Sequence, residues 1–258
     1  MARRAHETSL PPPFLKRVWL PDRAELPDAL DWDAYPLNFG MAQLGELDLR
    51  FSNAVTIIVG ENGSGKSTLL EAIAAMAGFS DSGGAQGMGA VGQSVASGKD
   101  GGTLGQLLRG AWLPQVKRGW FFRAETFFSV ARYLDEAAYD VGQRGPDFLS
   151  ISHGEGFVAF FEERLNQQGI YIFDEPESAL SPARQFDFLK ILRRMQRDGK
   201  SQVIMATHSP ILMALPDADL WQIDQWGIQP TKLEETPHFK IYREFILYPH
   251  DTVEAMIE

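Results

Sequence analysis

Two periods of hydrophobic and polar residues alternate along the chain, and each switch between them marks an element. Phe14 to Leu20 reads as a first strand, stopped by Pro21. Leu47, Leu49 and Phe51 alternate with Glu46, Asp48 and Arg50, which predicts an amphipathic antiparallel strand over 44–51. It runs into a fully apolar one, the β-branched Val55 to Val59. Leu69 to Ala77 is rich in helix formers. Trp120 to Glu125 returns to strand composition, Thr126 to Ala138 to a helical pattern, and Phe157 to Leu165 carries apolar residues at helical spacing. Ile170 to Phe173 and Gln202 to Ala206 suit buried strands. Between them Ser181 and Pro182 supply the cap and first-turn proline of a helix through Arg197, with Phe186, Leu189, Leu192 and Met195 on one face. The stretch 219–258 predicts two strands around Trp226-Gly227 and a closing helix or two, with Thr236 as a cap. Strands alternating with helices predict an α/β fold.

The pattern lapses in places. Met1 to Pro13 is polar and then proline-rich, which predicts a flexible arm over 1–13 ahead of a single domain over 14–258. Pro27 and Pro36 break 22–40 into loop, and 142–146 is a further break. Gly78 to Gly110, rich in Gly, Ser and Gln, reads as a long flexible insertion. With 258 residues and 44% hydrophobic composition the rest can build a sizeable core. Zero cysteines remove disulfides and thiolate metal sites from consideration. No apolar run approaches the ~20 residues of a membrane span, and 1–10 lacks the apolar centre of a signal peptide, so a soluble cytoplasmic protein with no membrane insertion is expected. The net charge of −10 argues against a surface that coats nucleic acid without specificity, so contact with DNA would need a local site. Arg193, Arg194, Arg197 and Lys200 form a basic cluster that reads as a solvated face and helix C-terminus, with a DNA contact as the alternative.

The chemistry concentrates where buried strands end. Gly60-Glu61-Asn62-Gly63-Ser64-Gly65-Lys66-Ser67-Thr68 lies between a strand and a helix, the setting a phosphate-binding Walker A loop requires. Its glycines let backbone N–H groups turn inward around phosphate oxygens at the positive end of a helix. Lys66 is placed for the β- and γ-phosphates and the Ser67 hydroxyl for Mg²⁺, so ATP and Mg²⁺ are the expected ligands. Ile170 to Phe173 ends in Asp174-Glu175, where open α/β sheets bind ligands. Asp174 suits a Walker B acid that orients Mg²⁺, and Glu175 a base for the attacking water. His208 follows another strand and can donate to a γ-phosphate oxygen. Ser152-His153-Gly154-Glu155 reads as a capping box on a helix. Tyr35 and Phe39 are candidates for stacking on adenine or for the core.

Taken in order, these residues resemble the ATP-binding-cassette type of P-loop ATPase. The likeness spans roughly 45–225: Walker A, a signature-like Ser152-His153-Gly154-Glu155-Gly156, Walker B with its following acid, a D-loop-like Ser178-Ala179-Leu180-Ser181, and the switch His208. Within that type, Gly-Glu-Asn-Gly-Ser-Gly-Lys-Ser-Thr-Leu-Leu-Glu-Ala-Ile looks like the RecF and structural-maintenance-of-chromosomes branch. The whole chain looks like small bacterial ATPases of poorly defined role. The signature departs from the usual Ser-Gly-Gly-Gln, Glu125 is the nearest candidate for the usual glutamine and a third Mg²⁺-facing residue, and Ser181 replaces the usual D-loop aspartate. No heptad segment lies between Trp120 and Ser152, so the long coiled coil of the chromosome-tethering branch is not expected.

The resemblance implies a mixed or parallel central sheet with an antiparallel β edge and a small helical, signature-bearing subdomain over roughly 79–165. It further implies Mg²⁺-dependent ATP hydrolysis coupled to a homodimer in which ATP is sandwiched. Walker A of one chain would face Ser152, Gly154 and Glu155 of the other. Lys66, Glu175 and His208 would be catalytic. DNA repair or defence is the implied setting, with DNA or a further protein as partner. The alternatives are a nucleotide-binding subunit of a transporter and an ATP-dependent switch or scaffold that does not hydrolyse.

Overall fold

A computed structural model describes residues 7–33, 36–37, 47–80, 83–85, 99–123 and 153–257. In chain order these form β1 (Leu15–Trp19), β2 (Asp48–Arg50), β3 (Val55–Val59), α1 (Lys66–Met76), β4 (Gly84–Ala85), α2 (Lys99–Leu107), β5 (Arg109–Trp112), β6 (Gly119–Arg123) and α3 (His153–Arg164). There follow β7 (Gly169–Asp174), α4 (Pro182–Asp198), β8 (Ser201–Ala206), α5 (Pro210–Met213), β9 (Asp219–Asp224), β10 (Gly227–Thr231), α6 (Pro237–Leu247) and α7 (Pro249–Ile257). Tyr35, Phe39, Glu125 and Ser152, the helix predicted over 126–138 and the break at 142–146 lie outside the described residues.

The main sheet has the order β10-β9-β3-β8-β7-β6-β4, with β9, β3, β8, β7 and β6 parallel and an antiparallel strand at each edge. This is an α/β P-loop fold with a mixed central sheet. Side-chain alternation along β3 builds a core on each face. Ile58 joins Phe14, Leu49, Leu70 and Ile73 under the smaller sheet and α1. Val55, Ile57 and Val59 join Phe161, Phe173, Phe188 and Met195 under α3 and α4. Aromatic contacts knit the second layer, with Phe122 stacked on Phe173 at 4.9 Å and edge-on to Phe161 at 4.6 Å.

The amphipathic strand expected ahead of β3 forms as β2 and is antiparallel, as predicted. β2 pairs antiparallel with β1 in a separate sheet of order β2-β1-β5. β3 has no edge to offer it, being flanked by β8 and β9. Buried Gln202 of β8 joins the two sheets: its Oε1 accepts from the N–H groups of Phe14 and Leu15, both at 2.8 Å, and its Nε2 donates to Leu15 O at 2.9 Å. Thr8 of the predicted arm exchanges hydrogen bonds with the Gln168 side chain at 2.7 and 2.8 Å.

Part of the predicted insertion is also packed. α2 lies on α1 with Leu104, Leu107 and Leu108 buried. Its glycines lower helix propensity, but Gly105 permits close approach, since a Cβ there would lie 2.8 Å from both Ala72 O and Ala75 Cβ. In α4 the buried face is Phe188, Ile191, Leu192 and Met195, while Phe186, expected inside, is exposed. Leu192 and Met195 are buried as the spacing predicts and Leu189 packs half-buried against the core, so the face departs from the prediction only in the first turns, where Phe188 turns inward in place of Phe186.

Candidate functional site

Every strand that carries chemistry delivers it to the C-terminal edge of the parallel sheet, where chain reversals leave a crevice. Leaving β3, the chain turns through Gly60 to Gly65, with Ser64 N–H donating to Glu61 O at 3.1 Å. Gly63 and Gly65 have φ of 76° and 94°, which favour glycine. A Cβ on Gly60 would lie 2.6 Å from Ile223 O and 2.7 Å from Ser64 Oγ. The loop is thus a backbone cradle that side chains would fill. Glu61, Asn62 and Gly63 are exposed on it, and Ser64, Gly65 and Thr68 are half-buried. A cleft of about 490 Å³ lies between this loop, the β9–β10 turn and the start of α6.

Lys66 opens α1 and is buried, with Nζ donating to Gly60 O at 3.0 Å and Glu61 O at 3.1 Å. Burial pushes its pKa below the ordinary lysine value, against the opposing pull of Glu175, Asp174, Glu177 and Glu61. A cation held by carbonyls near four carboxylates, at the mouth of an N–H cradle, is built to meet anionic oxygens.

Ser67 Oγ donates to Asp174 Oδ1 at 3.0 Å. Asp174 ends β7 and is only 7% exposed, so this hydroxyl and carboxylate form a compact oxygen pair beside the cradle. Among the described residues no group of three or more His, Asp or Glu side chains could hold a metal. Two oxygens with neighbouring phosphate and water suit Mg²⁺, which takes few protein ligands and keeps the rest of its octahedron for phosphate and solvent. The residues present fit that ion.

Glu175 sits in the left-handed region at φ 48°, ψ 54°, with its N–H donating to Ala206 O at 3.0 Å. A non-glycine residue held there is strained backbone, a feature that clusters at functional sites. Its side chain is 40% exposed, and Oε1 lies 3.3 Å from His208 Nε2. His208 leaves β8 just before the Ser209 cap of α5, and its N–H donates to Oε1 of half-buried Glu177. Burial raises the Glu177 pKa above the ordinary value. Lys66, Ser67, Asp174, Glu175 and His208 thus converge. Gly154 and Glu155 lie in the first turn of α3.

Three residues of this neighbourhood escaped the sequence reading. Arg123 ends β6 beside Asp174 in register, donates to Glu71 Oε1 of α1 at 2.8 Å and lies 3.8 Å from Asp174 Oδ2. A charge closing an apolar strand was the signal that picked out Asp174, and it applied equally here. Glu177 is legible only as a loop acid. His238, in the first turn of α6, places Nε2 2.9 Å from His208 Nδ1, a contact no local pattern announces.

Residues 156–214 match the family described as "AAA domain, putative AbiEii toxin, Type IV TA system", and residues 38–103 one described as "AAA domain". The hemin import ATP-binding protein HmuV of Burkholderia pseudomallei is 30% identical, with 68% of this chain and 76% of that protein covered. The thiamine import ATP-binding protein ThiQ of Photobacterium profundum is 35% identical over a shorter stretch, 31% of this chain and 30% of its own length. Similar solved structures include an ATP-binding cassette of an ABC transporter in its ADP conformation, at 16% identity, 95% and 98% coverage and a TM-score of 0.46. Another is the SMC head domain from Thermotoga maritima, at 16% identity, 85% and 99% coverage and a TM-score of 0.46.

Proposed function

We propose, from the premise that this chain belongs to the ATP-binding-cassette type of P-loop ATPases, that it hydrolyses Mg-ATP and that bound ATP joins two copies of it. The observation that carries this reading is the convergence of Ser67, Asp174, Lys66, Glu175 and His208 on one sheet edge. The N–H groups of 60–65 and Lys66 would bind the phosphates. Ser67 and Asp174 would hold Mg²⁺, which when bound neutralises phosphate oxygens and the charge that develops on them. Glu175 would take a proton from the attacking water, its exposed carboxylate being open to one. His208 and Lys66 would stabilise the charge on the γ-phosphate oxygens.

In this reading Ser152, Gly154 and Glu155 of a second copy would close over the nucleotide, and hydrolysis would release the pair. The resemblance to the RecF and structural-maintenance-of-chromosomes branch supports a role in DNA repair or defence, in which the closed pair would grip DNA or a further protein. Among the described residues no helix is long and apolar enough to cross a membrane. The test is the molar mass of Glu175→Gln by light scattering with Mg-ATP and without nucleotide. A dimer only with ATP supports the sandwich, and a monomer saturated with ATP overturns it.

The likeness to two import ATP-binding proteins favours a second reading, a nucleotide-binding subunit of an importer. Co-purification with an integral membrane protein would support it. Salt-sensitive retention on DNA by the ATP-bound dimer would support the first.

A further inference from the structure

His238 is held where it stands by its helix start. Thr236, fully buried, accepts from Phe239 N–H at 3.3 Å and donates to Leu233 O at 2.8 Å, and Pro237 fills the first helical position. The His238 ring then meets His208 with centroids 5.0 Å apart and Nε2 2.9 Å from His208 Nδ1. On its far side, His208 Nε2 faces Glu175 Oε1 at 3.3 Å. The three groups form a chain of contacts from α6 to the carboxylate that follows the last residue of β7.

Burial lowers the pKa of both histidines below the ordinary value. The charged and titratable groups facing them are Lys66, Glu175 and Glu177 around His208, and Glu61 and Lys66 around His238. Two neutral imidazoles at 2.9 Å share one proton, so one ring donates and the other accepts.

Two features choose the direction. His238 Nδ1 is buried and has no partner, so a proton there would be an unsatisfied donor, whereas at Nε2 it points at His208. With that proton donated to His208 Nδ1, the proton of His208 must sit on Nε2, which makes no aligned hydrogen bond among the described residues but lies 3.3 Å from Glu175 Oε1, where an N–H is attracted and a bare lone pair repelled. The opposite arrangement would turn a bare nitrogen lone pair toward a carboxylate oxygen. Both ends of this chain of contacts select the same tautomer.

We infer that His238 is a positioning residue which holds His208 as the Nε2–H tautomer and aims that proton at Glu175 and the γ-phosphate position. The inference rests on the ATPase reading for its consequence, but its geometry belongs to the nucleotide-free protein. It makes α6 a part of the site: movement of this helix would change which nitrogen of His208 carries the proton.

The tautomer is read directly from long-range ¹H–¹⁵N correlation spectra of histidine-labelled protein at pH 7.5 without nucleotide. The expected result is a protonated Nε2 and a bare Nδ1 on His208 in the wild type, and a mixture in His238→Ala. A wild-type His208 protonated at Nδ1, or a signal unchanged in His238→Ala, overturns the inference. In turnover, His238→Ala should lower kcat about tenfold with KM for ATP within about twofold, a size typical of a misplaced proton donor. His238→Gln, whose amide N–H can still donate, should recover most of the rate. Equal loss in both variants, with unchanged melting temperature, also overturns it. Absence of turnover in the wild type would instead overturn the ATPase reading, leaving the tautomer result standing.

Discussion

Ser67 and Asp174 lie 107 residues apart in the chain, and Ser67 Oγ donates to Asp174 Oδ1 at 3.0 Å. Sheet register brings them together. Ile58 and Asp174 both pair with Ala206, from opposite sides of β8, so the turn leaving β3 and the end of β7 reach the same level of the sheet. Parallel strands place all these ends on one edge, and a loop that turns sharply back from β3 then delivers Ser67 to the carboxylate.

Removing that carboxylate should uncouple nucleotide from metal. In Asp174→Asn the oxygen pair loses its charge while the cradle and Lys66 remain, so ATP should still bind but with little gain on adding Mg²⁺. Turnover should fall by about 10²-fold or more, on the scale of lost electrostatic stabilisation. Calorimetry with and without Mg²⁺ and phosphate release check both.

Lys66→Ala acts on the other side of the phosphates. Lys66 Nζ is satisfied by Gly60 O and Glu61 O in the nucleotide-free protein. Its loss leaves Glu61 O open to solvent but strands the buried Gly60 O, so a modest fall in melting temperature is expected. A charge-assisted hydrogen bond contributes about 1.5–3 kcal/mol, so ATP should bind about ten- to a hundredfold more weakly. Fluorescent-nucleotide titration measures this; unaltered affinity would remove Lys66 from the phosphate site.

Legibility in the sequence followed locality. Gly60 to Thr68, Asp174, Glu175 and His208 could be read because each closes a run of buried-strand residues, and the short-range pattern carries that information. The α2 helix could not, because its glycines depress helix propensity, and only the close approach of Gly105 to Ala72 and Ala75 shows what they are for. Phe186 was misplaced because apolar residues occupy more positions of α4 than one face can bury. The pairing of β2 with β1 and the meeting of His238 with His208 are tertiary facts. No window of neighbouring residues contains them.

Gln202 provides a stability test remote from the site. Its side chain satisfies the N–H groups of Phe14 and Leu15 and the carbonyl of Leu15 at the start of β1, in a fully buried setting. Gln202→Leu keeps roughly the volume and strands those groups, at about 1–3 kcal/mol for each that finds no new partner. A loss of about 2–4 kcal/mol in urea unfolding is expected, with nucleotide affinity changed less than threefold. A loss under about 0.5 kcal/mol would mean that the smaller sheet is held by its apolar contacts alone.

The paired histidines set the acid limb of stability. His208 and His238 both have folded pKa values below the ordinary 6.5, chiefly through burial. As pH falls through 6.5 the unfolded chain therefore takes up protons before the native one. The stability tied to neutral imidazoles is fully present above that value and is lost progressively below it. Glu177 runs the other way: its folded pKa is raised by burial, so the cost of keeping it charged is present at pH 7 and eases as pH falls through the raised value. Between pH 7.5 and 5.5 the histidines should dominate, because 5.5 lies below their unfolded value and two imidazoles act against one carboxyl group. The urea midpoint should drop over this interval in the wild type and drop less in His208→Gln/His238→Gln, which has no imidazole left to protonate there. An equal drop in both would assign the acid sensitivity to other groups, and Glu177→Gln, which keeps an acceptor for His208 N–H, should raise stability at pH 7.5 and change it little at low pH.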